Sequence, residues 1–174
     1  ILPFQYDGIK VFFLRAIVFT RVGNQFMYGL IDLDNKILIA QQYKNIYSIG
    51  SLRYAVENFE NKMALFTENG AQITPFNIDS ISSFKKNYAV IHQGLRQGLI
   101  DREGNIKMEP TYREIRIDDD GSVYARQTDE WMFLNGQNKL FNSKRADAVS
   151  AIGKDLLHVT TSEVVQIEDY TLKP

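Results

Sequence analysis

The stretch Gln97-Gly98-Leu99-Ile100-Asp101-Arg102-Glu103-Gly104 decides how the rest of the chain is read. Its centre is apolar and β-prone, and an aspartate followed shortly by glycine marks a tight bend, so it reads as a short strand entering a hairpin turn. Nearly the same phrase stands upstream as Tyr28-Gly29-Leu30-Ile31-Asp32. Looser copies are Ala64-Leu65-Phe66-Thr67, Met132-Phe133-Leu134-Asn135 and Val165-Gln166-Ile167-Glu168, and successive copies start 35, 34, 34 and 33 residues apart. A phrase that recurs at one period is a unit of architecture before it is a unit of chemistry.

A second phrase keeps the same period. Tyr6-Asp7-Gly8-Ile9, Tyr43-Lys44-Asn45-Ile46, Ile78-Asp79-Ser80-Ile81, Tyr112-Arg113-Glu114-Ile115 and Ala146-Asp147-Ala148-Val149 are spaced 37, 35, 34 and 34 residues apart. Pro3, Pro75 and Pro110 precede three of them and punctuate strand ends. A third set centres on a small residue in an apolar run: Tyr54-Ala55-Val56, Tyr88-Ala89-Val90 and Tyr124-Ala125, with weaker copies at Arg15-Ala16-Ile17 and Leu157-His158-Val159. Within one copy, residues 88–92 and 97–101 form a hairpin across Gln93-Gly94-Leu95-Arg96. Arg21-Val22-Gly23-Asn24-Gln25 lengthens that hairpin in the first copy. Asn35, Gly70, Gly104 and Asn138 stand where a second turn needs positive φ, and Asp32, Thr67, Asp101 and Asn135 can accept hydrogen bonds from it. A further strand follows, as in residues 106–109, with another short one at 112–117. Each unit is therefore a meander of three to four short antiparallel strands.

Composition agrees. The chain has 174 residues, 44% hydrophobic and 12% aromatic, which is ample for a packed core and favours strands. Its formal net charge of -1, with both signs interspersed, offers no basic face for nucleic acid. There is no cysteine, so disulfides and thiolate chemistry are excluded. The apolar runs Val11-Phe12-Phe13-Leu14 and Ala16-Ile17-Val18-Phe19 are too short for a membrane-spanning segment, and no signal-peptide layout appears. The opening Ile1-Leu2-Pro3 reads as the start of an excised or processed piece.

Gly98-Leu99-Ile100-Asp101, Gly104, then Pro110, Tyr112 and Ile115, then an Ala-Val strand, resembles the tryptophan-glycine (WG) β-repeat family of bacterial proteins. Tyr28 stands where that family prefers tryptophan, Trp131 is followed by Met132 in place of glycine, and Met63-Ala64 and Val164-Val165 carry neither signature residue. The resemblance implies an all-β tandem-repeat protein, extracytoplasmic (periplasmic or at the cell surface), with no general enzymatic activity and no catalytic residues to carry over.

The reactive side chains read as structural. Asp32 and Asp101 could be drawn as an acid–base pair, but Thr67 and Asn135 fill the same position and do the same turn-capping work. Asp118-Asp119-Asp120-Gly121-Ser122 is the one acidic cluster, and its glycine follows the acids directly, which is the wrong register for a calcium loop; it reads as a solvated loop between units. His92 and His158 occupy similar strand positions in different units and do not make a zinc site. Gly94-Leu95-Arg96-Gln97-Gly98 is a hairpin turn without the Lys-Ser/Thr of a phosphate loop. Tyr6, Tyr28, Tyr43, Tyr112 and Trp131 are either stacking platforms or inter-unit core, and core is favoured because Met63, Ile78 and Ala146 fill the same places.

The expected fold is all-β: five tandem repeats of about 34 residues, with units at 10–46, 47–81, 82–115, 116–149 and 150–174, the last joined by the strand 1–9. That permuted order favours a propeller-like ring closed by the first strand over an open β-solenoid or superhelix. The expected function is a non-catalytic binding or scaffold module recognising a protein or glycan. The alternatives are a glycan-processing enzyme and an accessory or spacer domain. No cofactor and no metal is expected. Asp101→Asn should be tolerated, and Gly104→Val should cost about 1 kcal/mol or more.

Overall fold

The computed structural model describes residues 5–128, 130–134, 140–145, 147–152, 156–160 and 165–169. Every regular element among them is a strand. Period-two runs separated by turn residues give five antiparallel sheets, each a meander in chain order. The first holds β1 (Gly8–Phe12), β2 (Arg15–Val22), β3 (Gln25–Asp32) and β4 (Ile37–Tyr43). The second holds β5 (Asn45–Ser48), β6 (Arg53–Glu57) and β7 (Met63–Thr67), with bridges Met63–Ile78 and Phe66–Gln72 tracing a worn fourth strand. The third holds β8 (Ser80–Ile81), β9 (Tyr88–Gln93), β10 (Arg96–Asp101) and β11 (Ile106–Tyr112). The fourth holds β12 (Glu114–Ile117), β13 (Val123–Gln127), β14 (Glu130–Leu134) and β15 (Leu140–Arg145), and the fifth β16 (Ala148–Ile152), β17 (Leu156–Thr160) and β18 (Val165–Asp169). No helix among the described residues is long and apolar enough to cross a membrane.

The sheets pack face to face in sequence order, because successive side chains of a strand point to opposite faces and both faces here are apolar. Ile17, Leu30 and Ile39 of the first sheet meet Ile46, Tyr54, Val56, Ala64 and Phe66 of the second. Ala55 and Leu65 of the second meet Ile81, Ala89, Ile91 and Ile100 of the third. Leu99 and Met108 then meet Ile115, Val123 and Ala125 of the fourth, whose Tyr124 and Phe133 meet Val149 and Val159 of the fifth. Within the repeated Gly-Leu-Ile-Asp phrase, leucine thus faces the next sheet and isoleucine the previous one. Burying one such leucine completely stabilises the fold by about 1.5–3 kcal/mol.

The signature glycine has a steric cause. Opposite Gly98 and Gly29 the partner strand bulges, with register shifts between Gln97 and Leu99 and between Tyr28 and Leu30. A Cβ on Gly98 would lie 2.8 Å from Met108 O, and one on Gly29 2.8 Å from Ile39 O. The Tyr-x-x-Ile phrase has a backbone cause. Its second residue donates its amide across the sheet in all five copies: Asp7 to Phe19, Lys44 to Glu57, Asp79 to His92, Arg113 to Arg126 and Asp147 to Thr160. Where that residue is Asp7 or Asp79, the carboxylate also accepts an amide at the far end of the hairpin, from Arg21 or Gly94.

Three expectations are corrected. The phrase opens a sheet: Lys44 alone separates β4 from β5, and Arg113 alone separates β11 from β12. β1 pairs with β2 in its own sheet, so the described part of the 1–9 segment joins the first unit and does not complete the last. The Tyr-Ala-Val set is not one structural position. Tyr88 lies opposite Asp101, Tyr54 opposite Phe66 and Tyr124 opposite Phe133, which are the fourth, third and second residues of the Gly-Leu-Ile-Asp phrase. Each one-residue slip turns the side chain to the other face, so Tyr54 packs toward the first sheet and Tyr88 toward the fourth. Pro3, Asn135, Asn138, Ala146 and Val164 lie outside the described residues.

Candidate functional site

The sheets place their β1–β2-type turns and their Asp-capped turns at one end of the body, and an apolar cleft opens there. It begins with a local conflict. Phe12 pairs with Arg15, leaving Phe13-Leu14 as a two-residue hairpin turn in which Phe13 has φ 53°. That position favours glycine, and a bulky residue there carries strain. Phe13 is nonetheless 94% exposed and Leu14 66%. The equivalent turn of the second sheet holds Gly50, Ser51 and Leu52 at φ 80°, 53° and 56°, with Leu52 58% exposed. Between the two turns lies a cleft of about 510 Å³, walled by Phe12, Phe13, Leu14, Leu52 and Tyr54, with Arg15, Ser48 and Glu68 at its polar margin. Its volume falls within the range of small-molecule and side-chain pockets.

Arg15 holds the cleft together. Its Nε donates to Glu68 O at 3.0 Å, one Nη to Leu14 O at 2.9 Å and the other to Asn69 Oδ1 at 3.1 Å, joining the first sheet to the second. All three acceptors are neutral, and no carboxylate lies within ion-pair distance of Arg15 among the described residues. Arg53 repeats the device one sheet on, donating to Arg102 O at 2.8 Å and Leu52 O at 3.2 Å. Burial raises the pKa of Tyr54 above the ordinary phenol value.

The acidic residues singled out in the sequence sit elsewhere, and the structure does not bring them together. Asp32 Oδ1 accepts from the amides of Asp34 (3.0 Å) and Lys36 (2.8 Å) in the first sheet. Asp101 Oδ1 accepts from Glu103 (3.0 Å) and Asn105 (2.8 Å) in the third. Thr67 Oγ1 does the same for Ala71 at 3.1 Å. Asn35, Gly70 and Gly104 follow at φ 66°, 83° and 87°. Asp101 shares a cavity of about 230 Å³ with Glu103, Arg102 and Lys107. Its second oxygen is taken by Asn105 Nδ2 at 2.9 Å and by Lys107 at 3.1 Å. Burial alone would raise its pKa, but the Asn105 and Lys107 hydrogen bonds outweigh burial and hold it below the ordinary carboxylate value. Such a carboxylate stays ionised and has no free lone pair with which to take a proton.

Asp118–Asp120 form the β12–β13 turn inside the fourth sheet, so they do not link units. Asp120 accepts from Ser122 N and Oγ, Asp118 from Arg116 Nε, and Gly121 sits at φ 93°. His92 bonds Ser80 Oγ at 3.0 Å, and the shared backbone hydrogen bond makes Thr160, not His158, its counterpart. No group of three or more His, Cys, Asp or Glu that could hold a metal occurs among the described residues. The aromatic series is packing. Tyr112 and Trp131 are buried, and Tyr28 and Tyr43 pack on the core between the first two sheets. Tyr43 stacks on Phe76 at 5.6 Å, and Tyr6 packs on Ala16, Val18 and Ile31. Sequence reasoning missed Phe13, Leu14 and Leu52. A usable signal existed: the corresponding turns elsewhere are Lys86-Asn87, closed by the Lys85–Tyr88 bridge, and Asp119-Asp120-Gly121, so apolar Phe13-Leu14 stands out once the sheets are aligned.

The family model described as "WG containing repeat" matches residues 28–51, which run from the end of β3 through β4 and β5. The stretch that matches this repeat therefore bridges the first and second sheets. No curated protein matches the chain. Among solved structures it is similar to HIRA(644-1017), at 11% identity over 74% of this chain and 49% of that one, with a TM-score of 0.38. It is similar to the WD40 beta propeller domain of Doa1, at 10% identity over 93% of this chain and 62% of that one, with a TM-score of 0.36. A protein of unknown function from Bacteroides caccae matches at 11% identity over 92% of this chain and 70% of that one, with a TM-score of 0.32. The chain spans about half the length of the first of these and 62% of the second. At such low TM-scores these likenesses do not bear on function.

Proposed function

We propose that this WG-repeat chain is a non-catalytic interaction module that binds a protein partner at the cleft between its first two sheets. The observation that carries this reading is the display to solvent of Phe13 and Leu52, from strained turn positions, with Leu14 beside Phe13. A turn selected for folding alone would carry glycine, asparagine or aspartate there, and exposed apolar clusters on strained backbone mark interaction sites. Aliphatic Leu14 and Leu52 fit a protein side chain better than a sugar, which favours flat aromatic platforms ringed by hydrogen-bonding groups. The enzyme alternative needs two carboxylates flanking one site; only Glu68 lines the cleft, and Asp101 beside Glu103 is saturated by its own turn.

The same reading treats the chain as five like units in one cooperative body closed as a ring. Its support is that Ala16, Val18 and Ile31, on the face of the first sheet turned away from the second, are buried to 1% exposure or less, where an open stack would leave them in water. A scattering profile of an elongated particle would overturn the ring.

The function is tested by affinity capture from bacterial envelope and cytosolic extracts, run beside a glycan array, with wild type and Leu52→Asp. Enrichment of a protein by wild type that Leu52→Asp abolishes is expected, with a silent array. Capture that ignores Leu52→Asp, or glycan binding that depends on Leu52, would overturn the reading.

A further inference from the structure

The first strand of each sheet carries the isoleucine or valine of the Tyr-x-x-Ile phrase. In four sheets it is buried against the preceding one: Ile46 is 4% exposed, Ile81 7%, Ile115 7% and Val149 3%. In the first sheet Ile9 is 39% exposed and Val11, two residues on, 58%. β1 is the terminal strand of its sheet, and no described strand pairs with its outer edge. The opening strands of the second, third and fourth sheets are short or polar at the edge, as proteins arrange to avoid stray pairing: Tyr47 bonds Glu57 and Asn45, Ser80 bonds His92, and β12 carries Glu114 and Arg116. β1 reads Gly8-Ile9-Lys10-Val11-Phe12, and Lys10 has no ion pair or side-chain hydrogen bond among the described residues.

The two faces of β1 lead to different places. Ile9 and Val11 lie opposite Val18 and Ala16, on the side away from the second sheet. Lys10 and Phe12 lie opposite Ile17 and Arg15, on the side facing it, and Phe12 walls the cleft. An antiparallel second copy in the register that pairs all of β1 would set Lys10 on Lys10 of its mate, which like-charge repulsion disfavours.

We infer that β1 accepts an extended strand from a partner protein by antiparallel addition, with a carboxylate opposite Lys10, apolar residues opposite Ile9 and Val11, and an apolar side chain beside Phe12 entering the cleft. Backbone hydrogen bonds along the edge supply sequence-independent affinity and the alternate side chains supply selectivity, as in other strand-addition complexes. The inference rests on the cleft being the binding site, because one face of the added strand points into it. Arg15 and Glu68 bring opposite charges to the mouth of the cleft, so Lys10 on β1 sets the preference for an acidic strand.

The test titrates ¹⁵N-labelled protein with the capped peptide Ser-Leu-Val-Glu-Val-Thr-Ser, its Glu→Lys counterpart, and a form N-methylated at alternate amides. Shifts confined to Gly8–Phe12 and the cleft are expected, with the Glu peptide preferred by about five- to tenfold. Lys10→Glu should reverse that preference, and N-methylation should abolish binding. Binding that Leu52→Asp abolishes but that ignores Lys10→Glu and N-methylation overturns strand addition and keeps the cleft. Binding along β1 that survives Leu52→Asp overturns the cleft. Unperturbed Gly8–Phe12 amides at millimolar Glu peptide overturn the inference outright.

Discussion

The first and third sheets are built on the same phrase and end differently. In both, Leu30 or Leu99 is fully buried toward the next sheet, an aspartate caps the following turn, and the phrase's glycine lies under a bulge. The third sheet is covered on both faces, with Ile81, Ile91 and Ile100 packed on the second sheet and Leu99 on the fourth, and exposes Leu95 at its β9–β10 turn and Ile106 at the start of β11. The first sheet keeps that interior but opens its margin: β1 is exposed, its turn carries Phe13-Leu14, and the β2–β3 hairpin extends to Val22 and Phe26 beyond the length of β9–β10. Shared positions therefore answer to packing, and the first sheet departs from the repeat at its exposed margin.

The largest effect that could break this comparison lies in the shared interior. Leu99→Ala and Leu30→Ala should each lower unfolding free energy by about 2–5 kcal/mol in urea titrations. Ile115→Ser should also cost several kcal/mol, whereas Ile9→Ser, at the same place in the repeat but exposed, should stay within about 0.5 kcal/mol. Equal losses at Ile9 and Ile115 would erase the distinction between open and enclosed margins.

Turn glycines come next. A Cβ on Gly70 would lie 2.0 Å from Leu38 O, a backbone atom of the neighbouring sheet, at φ 83°. Gly70→Ala should therefore cost about 2 kcal/mol or more. A Cβ on Gly104 meets the side-chain atom Ile73 Cγ2 at 2.4 Å, which can give way, so Gly104→Ala should cost less, about 1 kcal/mol. Gly23, at φ 63° with nothing within 4 Å, should cost least. Melting temperatures of the three alanine variants check the order.

Asp101→Asn revises an expectation drawn from sequence. Asn135 at the equivalent place suggested tolerance, but Asp101 Oδ2 receives Asn105 Nδ2 and Lys107. An amide NH₂ would turn a donor onto those donors, so the variant should lose about 1–2 kcal/mol. The depressed folded pKa of Asp101 sets the sign with pH. Its stabilising contribution is complete above the ordinary value of about 4 and is lost as pH falls through the lower folded value. Acid titrations of stability should therefore be flatter in Asp101→Asn than in wild type.

These particulars show which features were legible. The 88–101 hairpin, the Asp32 and Asp101 caps, and the need for glycine at Gly104 follow from local rules of two-residue turns, side-chain acceptors and positive φ. The tyrosine register was not legible, because residues 58–62 join β6 to β7 whereas two residues join β9 to β10, and small-residue spacing does not report which residue a strand places opposite another. The role of Asp7 and Asp79 was hidden for a related reason: each caps an amide more than ten residues away across a sheet. The cleft was obscured because Phe12-Phe13-Leu14 looks like the interior of an apolar run until pairing with Arg15 turns it into a loop.

The smallest expected change in stability bears most directly on the central claim that Phe13 and Leu52 are kept for binding rather than folding. Both hold positive φ and point into solvent. Urea unfolding of the double variant Phe13→Gly/Leu52→Gly should show stability equal to wild type or higher by up to about 1 kcal/mol, as turn strain is relieved. A loss of several kcal/mol, comparable to Leu99→Ala, would show that these side chains are core and would contradict the claim.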